Sequence, residues 1–146
     1  MNYALLVMSS PFSGQGAMTA ARFARCVLAR GHTISRVFFL DAGTTNGAAA
    51  AVFPQDEENR LQPWVELAEQ HEVELILCIS SALRYGMLDD TEANRHEKSS
   101  ATIHPAFTVS GLGQLVDGGR SDEKGEGTAN FRDPTGSPGV IACHEK

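Results

Sequence analysis

Apolar residues fall along this chain in short, nearly unbroken runs separated by longer stretches where they recur every three or four positions. Residues 3–8, the group Ile34, Val37, Phe38, Phe39 and Leu40, and residues 73–79 lack the strict alternation of a sheet with one wet face, and Phe107-Thr108-Val109 reads as a short fourth strand. Such runs predict strands covered on both sides, as in parallel sheets. Between them Ala20, Phe23, Ala24, Val27 and Leu28 mark an amphipathic helix over 17–30, stopped by Gly31. Leu61, Trp64, Val65 and Ala68 mark a second over 61–71, with Trp64 expected in the core. Shorter helical pieces are expected from Ser81 to Tyr85, capped by Ser80-Ser81 and broken by Gly86, and from Asp89-Asp90 onward. Residues 48–53 read as a helical turn, and Ser110 opens a last helix. Strands alternating with helices predict one doubly wound α/β domain with a mainly parallel sheet.

The third apolar run ends on Cys78, immediately before an expected helix start. In an open α/β sheet the carboxyl ends of the strands border the ligand crevice. Free amides and the positive end of a helix there favour a thiolate over a thiol. Arg84, one turn further, adds a cation if it folds back. A free cysteine also serves as a small core hydrophobe, so position alone leaves both roles open. The loop over 41–47 follows the second strand and belongs to the same rim. The acidic pair Asp89-Asp90 invites a metal reading, but a helix N-terminus favours negative charge without one. Gly111 and Gly113 fit either a phosphate cradle or close packing. A nucleotide or flavin site in the loop 9–16 would need a full glycine fingerprint, which that loop lacks.

Composition narrows the setting. A chain of 146 residues fits one domain that needs no disulfide or metal for stability. Cys26, Cys78 and Cys143 are an odd count in no metal-like spacing, which points to a reducing compartment. Cys26 lies three positions from Phe23 and is expected to be a partly buried structural thiol. The N-terminal residues lack the basic leader and small-residue cleavage site of a signal peptide, and no apolar run is long enough for a bilayer, so a soluble cytoplasmic protein is expected. A net charge of -6 argues against direct wrapping of nucleic acid. The stretch 118–146 is polar and rich in Gly and Pro, cannot bury enough apolar surface to fold alone, and is expected to be a poorly ordered tail after a domain at 1–117. Only Val140-Ile141-Ala142-Cys143 could add a late strand there, and the adjacent Cys143 and His144 do not make a metal site.

Phe38-Phe39 before the Gly43 loop, Cys78 after an apolar strand, Ala82-Leu83-Arg84 with Gly86, and Ser110-Gly111-Leu112-Gly113 occur in that order. Together they make the chain resemble the DsrE/TusD family of sulfurtransferase subunits, its TusD members most, over about residues 1–117. The resemblance implies a DsrE-like fold with flavodoxin-like layering. It implies that Cys78 carries a persulfide, taken from a TusA-type donor and passed to a TusE-type acceptor for 2-thiouridine synthesis at the tRNA wobble position. It further implies a heterohexamer with TusB-like and TusC-like subunits, no contact of this subunit with nucleic acid or membrane, and no metal or organic cofactor. The chain departs from the family pattern at Leu40-Asp41-Ala42, where an aromatic and polar residues are usual. It departs again at Tyr85, where a second basic residue is common, and after Val116, where the polar tail replaces a helix and a strand. Two other roles share this fold: a DsrE-type subunit of a sulfur-oxidation complex, and a non-catalytic scaffold subunit. The apolar surplus at Phe12, Phe53 and Phe107 fits either subunit contacts or core packing.

Overall fold

A computed structural model describes residues 1–113 of the chain. Its elements in order are β1 (Asn2–Val7), α1 (Gly16–Ala29), β2 (Thr33–Phe39), a 3-10 segment (Asp41–Gly47), α2 (Gln62–His71), β3 (Glu74–Cys78), α3 (Ile79–Arg84), α4 (Asp90–Arg95) and β4 (Phe107–Ser110). The four strands form one sheet in the order β1-β2-β3-β4, with every neighbouring pair parallel. The expected parallel α/β architecture is therefore present. Its strand order runs with the sequence. Right-handed crossovers between such strands place their connecting helices on one side of the sheet.

The packing agrees with that rule. Leu5, Val7, Val37, Phe39, Leu75, Leu77 and Phe107 share one buried cluster with Ala20, Ala21, Ala24 and Val27 of α1, Trp64 and Leu67 of α2, and Ala82 of α3. The alanines of α1 let its backbone lie close to the strands. Phe39 sits at the centre, edge-on to Trp64 at 5.1 Å and tilted against Phe107 at 5.5 Å between ring centroids. Successive residues of a strand point to opposite faces, so Leu6, Phe38, Ile76 and Cys78 belong to the other side. Phe38, Ile76 and Cys78 form a separate buried cluster there, with Leu6 and Leu40 packed against it. No residue of the described helices is among the members of that cluster.

The helix boundaries have local causes. Gly31 and Gly86 take φ of +80° and +70° just beyond α1 and α3, as the sequence predicts for helix stops. Asn59 Oδ1 accepts from the amides of Leu61 and Gln62, at 3.0 and 3.1 Å, and so caps the start of α2. Asp89 is the N-cap of α4, accepting from the Glu92 amide at 2.8 Å, which accounts for the acidic pair as helix capping. Four expectations need correction or limit. Residues 48–53 make a single turn, with the Ala51 amide on the Ala48 carbonyl at 3.3 Å, and go no further toward a helix, while Ala48 bridges Ile103 and the Ala49 amide bonds the Thr102 carbonyl at 3.0 Å. The helical segment in this connection lies earlier, at Asp41–Gly47. Cys26 is exposed rather than partly buried, since it falls beside the buried stripe of Ala24 and Val27. The tail 118–146, with Cys143, and the helix expected after Ser110 lie outside the described residues.

Gly43 has a steric reason to be glycine. A Cβ there would collide with the carbonyl oxygen of Val7. Gly43→Ala is expected to lower stability by about 2 kcal/mol or more, the scale of overpacking in a close contact. Gly111→Ala, whose Cβ meets nothing described within 4 Å, is expected to change it by less than about 0.5 kcal/mol. Urea unfolding of both variants checks this.

Candidate functional site

All four strands are parallel, so their carboxyl ends meet along one edge. Ser9 and Ser10 follow β1, Asp41–Gly47 follows β2, Cys78 closes β3 and Ser110 closes β4. Cys78 stands in register with Ser110 on the neighbouring strand. It is both the last residue of β3 and the N-cap of α3, with extended backbone at φ -61° and ψ 121°. The helix thus begins two residues earlier than Ser80-Ser81 implied. The strand passes into the helix without an intervening loop, and no side chain caps it.

Cys78 is buried, with 2% of its surface exposed. Its neighbours on the same sheet face are Phe38 and Ile76, with Leu6 and Leu40 packed against the group. The thiol therefore sits on an apolar floor at the edge of the sheet, adjoining the first amides of α3. Arg84 closes that helix at its far end and is exposed; it forms no ion pair among the described residues.

The rim that flanks Cys78 is built from a segment the sequence marks only as a loop. Thr44 and Thr45 donate their hydroxyls to the carbonyls of Asp41 and Ala42, at 2.8 and 2.6 Å, winding the segment into its 3-10 form. Asn46, 2% exposed, uses both ends of its amide. Its nitrogen donates to the carbonyls of Ser9 and Gly43, at 2.9 and 2.8 Å, and its oxygen accepts from the Trp64 indole at 3.2 Å. One side chain thereby joins the loop after β1, the loop after β2 and helix α2. Arg60 fastens the other side of the β1 loop, donating to the carbonyls of Pro11 and Gly14. Asp41 adopts φ +50°, a left-handed conformation uncommon outside glycine, and its amide donates to Ser81 Oγ at 3.0 Å. Phe12 and Phe53 stack on each other at the surface of this end, Phe12 being 58% exposed, whereas Phe107 is core.

The long-range hydrogen bonds of Asn46, Ser81 and Arg60 escaped the sequence reading. They reach partners 18 to 49 positions away, so no local pattern signals them. Among the described residues no cluster of three or more His, Cys, Asp or Glu side chains could hold a metal ion. No helix of the described residues is long and apolar enough to cross a membrane.

A thiol at the carboxyl edge of a sequentially ordered parallel sheet matches a known family. The model of the DsrE/DsrF-like family fits residues 1–118. The chain belongs to the DsrE/DsrF-like family. Among its relatives, the DsrE protein of Allochromatium vinosum is 41% identical over 117 residues, covering 80% of this chain and 90% of that protein. The sulfurtransferase TusD of Salmonella dublin is 39% identical over 117 residues, covering 80% and 91%. TusD of Serratia proteamaculans is 36% identical over 124 residues, covering 85% and 96%. The crystal structure of the YchN protein from E. coli superposes with a TM-score of 0.62 at 16% identity, covering 78% of this chain and 87% of that one, which shows the shared fold. This DsrE/DsrF-like chain is a sulfurtransferase.

Two outcomes follow from the geometry. In the native protein, iodoacetamide is expected to label exposed Cys26 well before buried Cys78, and both at comparable rates in urea, as read by peptide mass spectrometry. Asn46→Ala leaves the Trp64 indole and two loop carbonyls without their partner. It is expected to cost about 1–3 kcal/mol in a denaturant titration followed by tryptophan emission.

Proposed function

We propose that Cys78 is the sulfur-carrying residue of a persulfide relay. The observation that carries this reading is the place of Cys78 at the junction of β3 and α3, on the strand edge where parallel α/β proteins present their reactive groups. Among the described residues the other cysteine, Cys26, lies on the outer side of α1, away from any rim.

The chemistry is thiol–persulfide exchange. The Cys78 thiolate attacks the terminal sulfur of a donor persulfide R-S-SH, the donor S–S bond breaks, and R-S⁻ departs while Cys78 becomes Cys-S-SH. The acceptor thiolate then attacks that terminal sulfur, and Cys78 leaves as a thiolate. Neither step changes the total oxidation state, so no external oxidant or reductant enters. The apolar floor of Phe38, Ile76, Leu6 and Leu40 gives the carried sulfur a site poor in water and shielded from stray thiols.

In this reading the donor is a TusA-type protein and the acceptor a TusE-type protein. The chain works beside TusB-like and TusC-like subunits in a heterohexamer in the cytoplasm, and the sulfur ends in 2-thiouridine at the tRNA wobble position. The similarity to proteins named TusD supports that route. The similarity to a DsrE protein supports a second one, in which the same thiol accepts sulfur within a sulfur-oxidation complex. The two routes share Cys78 and differ in the acceptor.

Incubating the purified full chain and Cys78→Ser with a persulfidated TusA-type donor tests the carrier role. Intact and peptide masses are expected to show one added sulfur on Cys78 and none in the variant. A wild-type protein, folded and assembled with its partner subunits, that stays unmodified beside a loaded donor would sink the carrier reading in favour of a scaffold. Transfer onward to a TusE-type acceptor, in preference to an unrelated thiol protein, is expected for the tRNA route.

A further inference from the structure

Ser81 is buried, with 6% exposure, although it lies on a six-residue helix beside exposed Ser80. A serine inside a helix commonly returns its hydroxyl to a carbonyl of the preceding turn. Here the Ser81 hydroxyl instead accepts from the Asp41 amide at 3.0 Å, across 40 positions of sequence. That amide belongs to a residue held at φ +50°, a conformation that an aspartate adopts at a cost and keeps where its surroundings fix it. The residue before it, Leu40, packs its side chain against the Phe38, Ile76 and Cys78 cluster. Its backbone is tied by the Leu40 amide to the Val7 carbonyl at 3.0 Å, and its carbonyl accepts from the Gly43 amide at 2.9 Å. The turn at Leu40 and Asp41 is thus anchored to β1 and to its own loop on one side. On the other it is anchored to the first turn of the helix that Cys78 caps.

We infer that Ser81 is a positioning residue for Cys78: its hydroxyl holds the Leu40-Asp41 turn as a wall over the thiol, so that small solution thiols are kept from the sulfur Cys78 carries. This inference rests on the reading of Cys78 as the carrier and adds to it the element that controls access. Without the Ser81 hydroxyl the Asp41 amide loses its partner, the left-handed backbone relaxes, and Leu40 swings off the cluster. A donor protein that presses on the Leu40-Asp41 turn opens the same path in a controlled way, which lets the relay admit a docked persulfide while excluding free ones.

The test uses the full chain as wild type, Ser81→Ala and Ser81→Thr. Native-state alkylation by iodoacetamide is followed at Cys78 by peptide mass, with Cys26 as the internal reference and the thermal midpoint measured alongside. Ser81→Ala is expected to raise the Cys78 rate about three- to tenfold, the range set by the net worth of one hydrogen bond. The Cys26 rate stays unchanged and Ser81→Thr restores the slow rate. A Cys78 persulfide loaded beforehand is expected to decay in glutathione faster by a similar factor in Ser81→Ala. Equal Cys78 rates in wild type and Ser81→Ala overturn the inference. Should Ser81→Ala lower the thermal midpoint, Leu40→Ala supplies the second arm: faster alkylation at Cys78 supports the wall, and an unchanged rate overturns it. Alkylation does not require sulfur carriage. A changed rate with no sulfur gained from the donor therefore counts against the carrier reading alone, and an unchanged rate with normal sulfur gain counts against Ser81 alone.

Discussion

A single buried amide organises the working end of this protein. Asn46 makes its three hydrogen bonds to three separate parts of the chain, the loop after β1, the loop after β2 and the indole of helix α2. An amide sealed from water must find partners for both its ends, since each one missed costs about 1–3 kcal/mol. The fold therefore admits few positions for the two loops. The Trp64 ring that supplies one partner is also the largest side chain of the core, edge-on to Phe39. Packing of the interior and placement of the rim are in this way one problem with one solution. The tight approach of Gly43 to the end of β1 is part of the same fit.

Strand parity divides the sheet into two unlike faces. Odd-numbered positions of β2 and β3, Val37, Phe39, Leu75 and Leu77, meet the helices. Towards the carboxyl ends the even-numbered ones, Phe38, Ile76 and Cys78, meet each other, whereas Ile34 near the start of β2 joins the helix-packed cluster. The cysteine is consequently held away from the helix-packed core while still lying at the junction where α3 begins. That placement gives it an apolar surrounding without making it a filler between helix and sheet.

Much of this was legible in the sequence, and the reasons differ by element. The strands at β1, β2 and β3 announced themselves by continuous apolar runs, because burial on both faces removes the polar alternation. Helices α1 and α2 followed from their stripes, and the end of α1 from Gly31. Cys78 stood out by its position between a strand and a helix. The rim was not legible. Residues 41–47 contain no apolar stripe, and the hydroxyls of Thr44 and Thr45 wind them by bonding to local carbonyls, a choice that propensity does not reveal. The alanines at 48–51 favour helix by themselves, but pairing with residues 102 and 103 overrides that preference. Cys26 was misplaced by a single step around α1, which suffices to turn a side chain from the sheet to solvent.

The sequential strand order has a further consequence for how the chain assembles during synthesis. Each strand pairs with the one made just before it, so no strand waits for a distant partner to emerge. Both strands of the β1-α1-β2 unit precede β3 in the chain, so they emerge and can meet before β3 does. The strand that carries Phe38 is thus available as the neighbour of the cysteine strand when Cys78 emerges. The thiol of Cys78 thus arrives with its sheet neighbour already made, and it need not wait on an unpaired strand for a later segment.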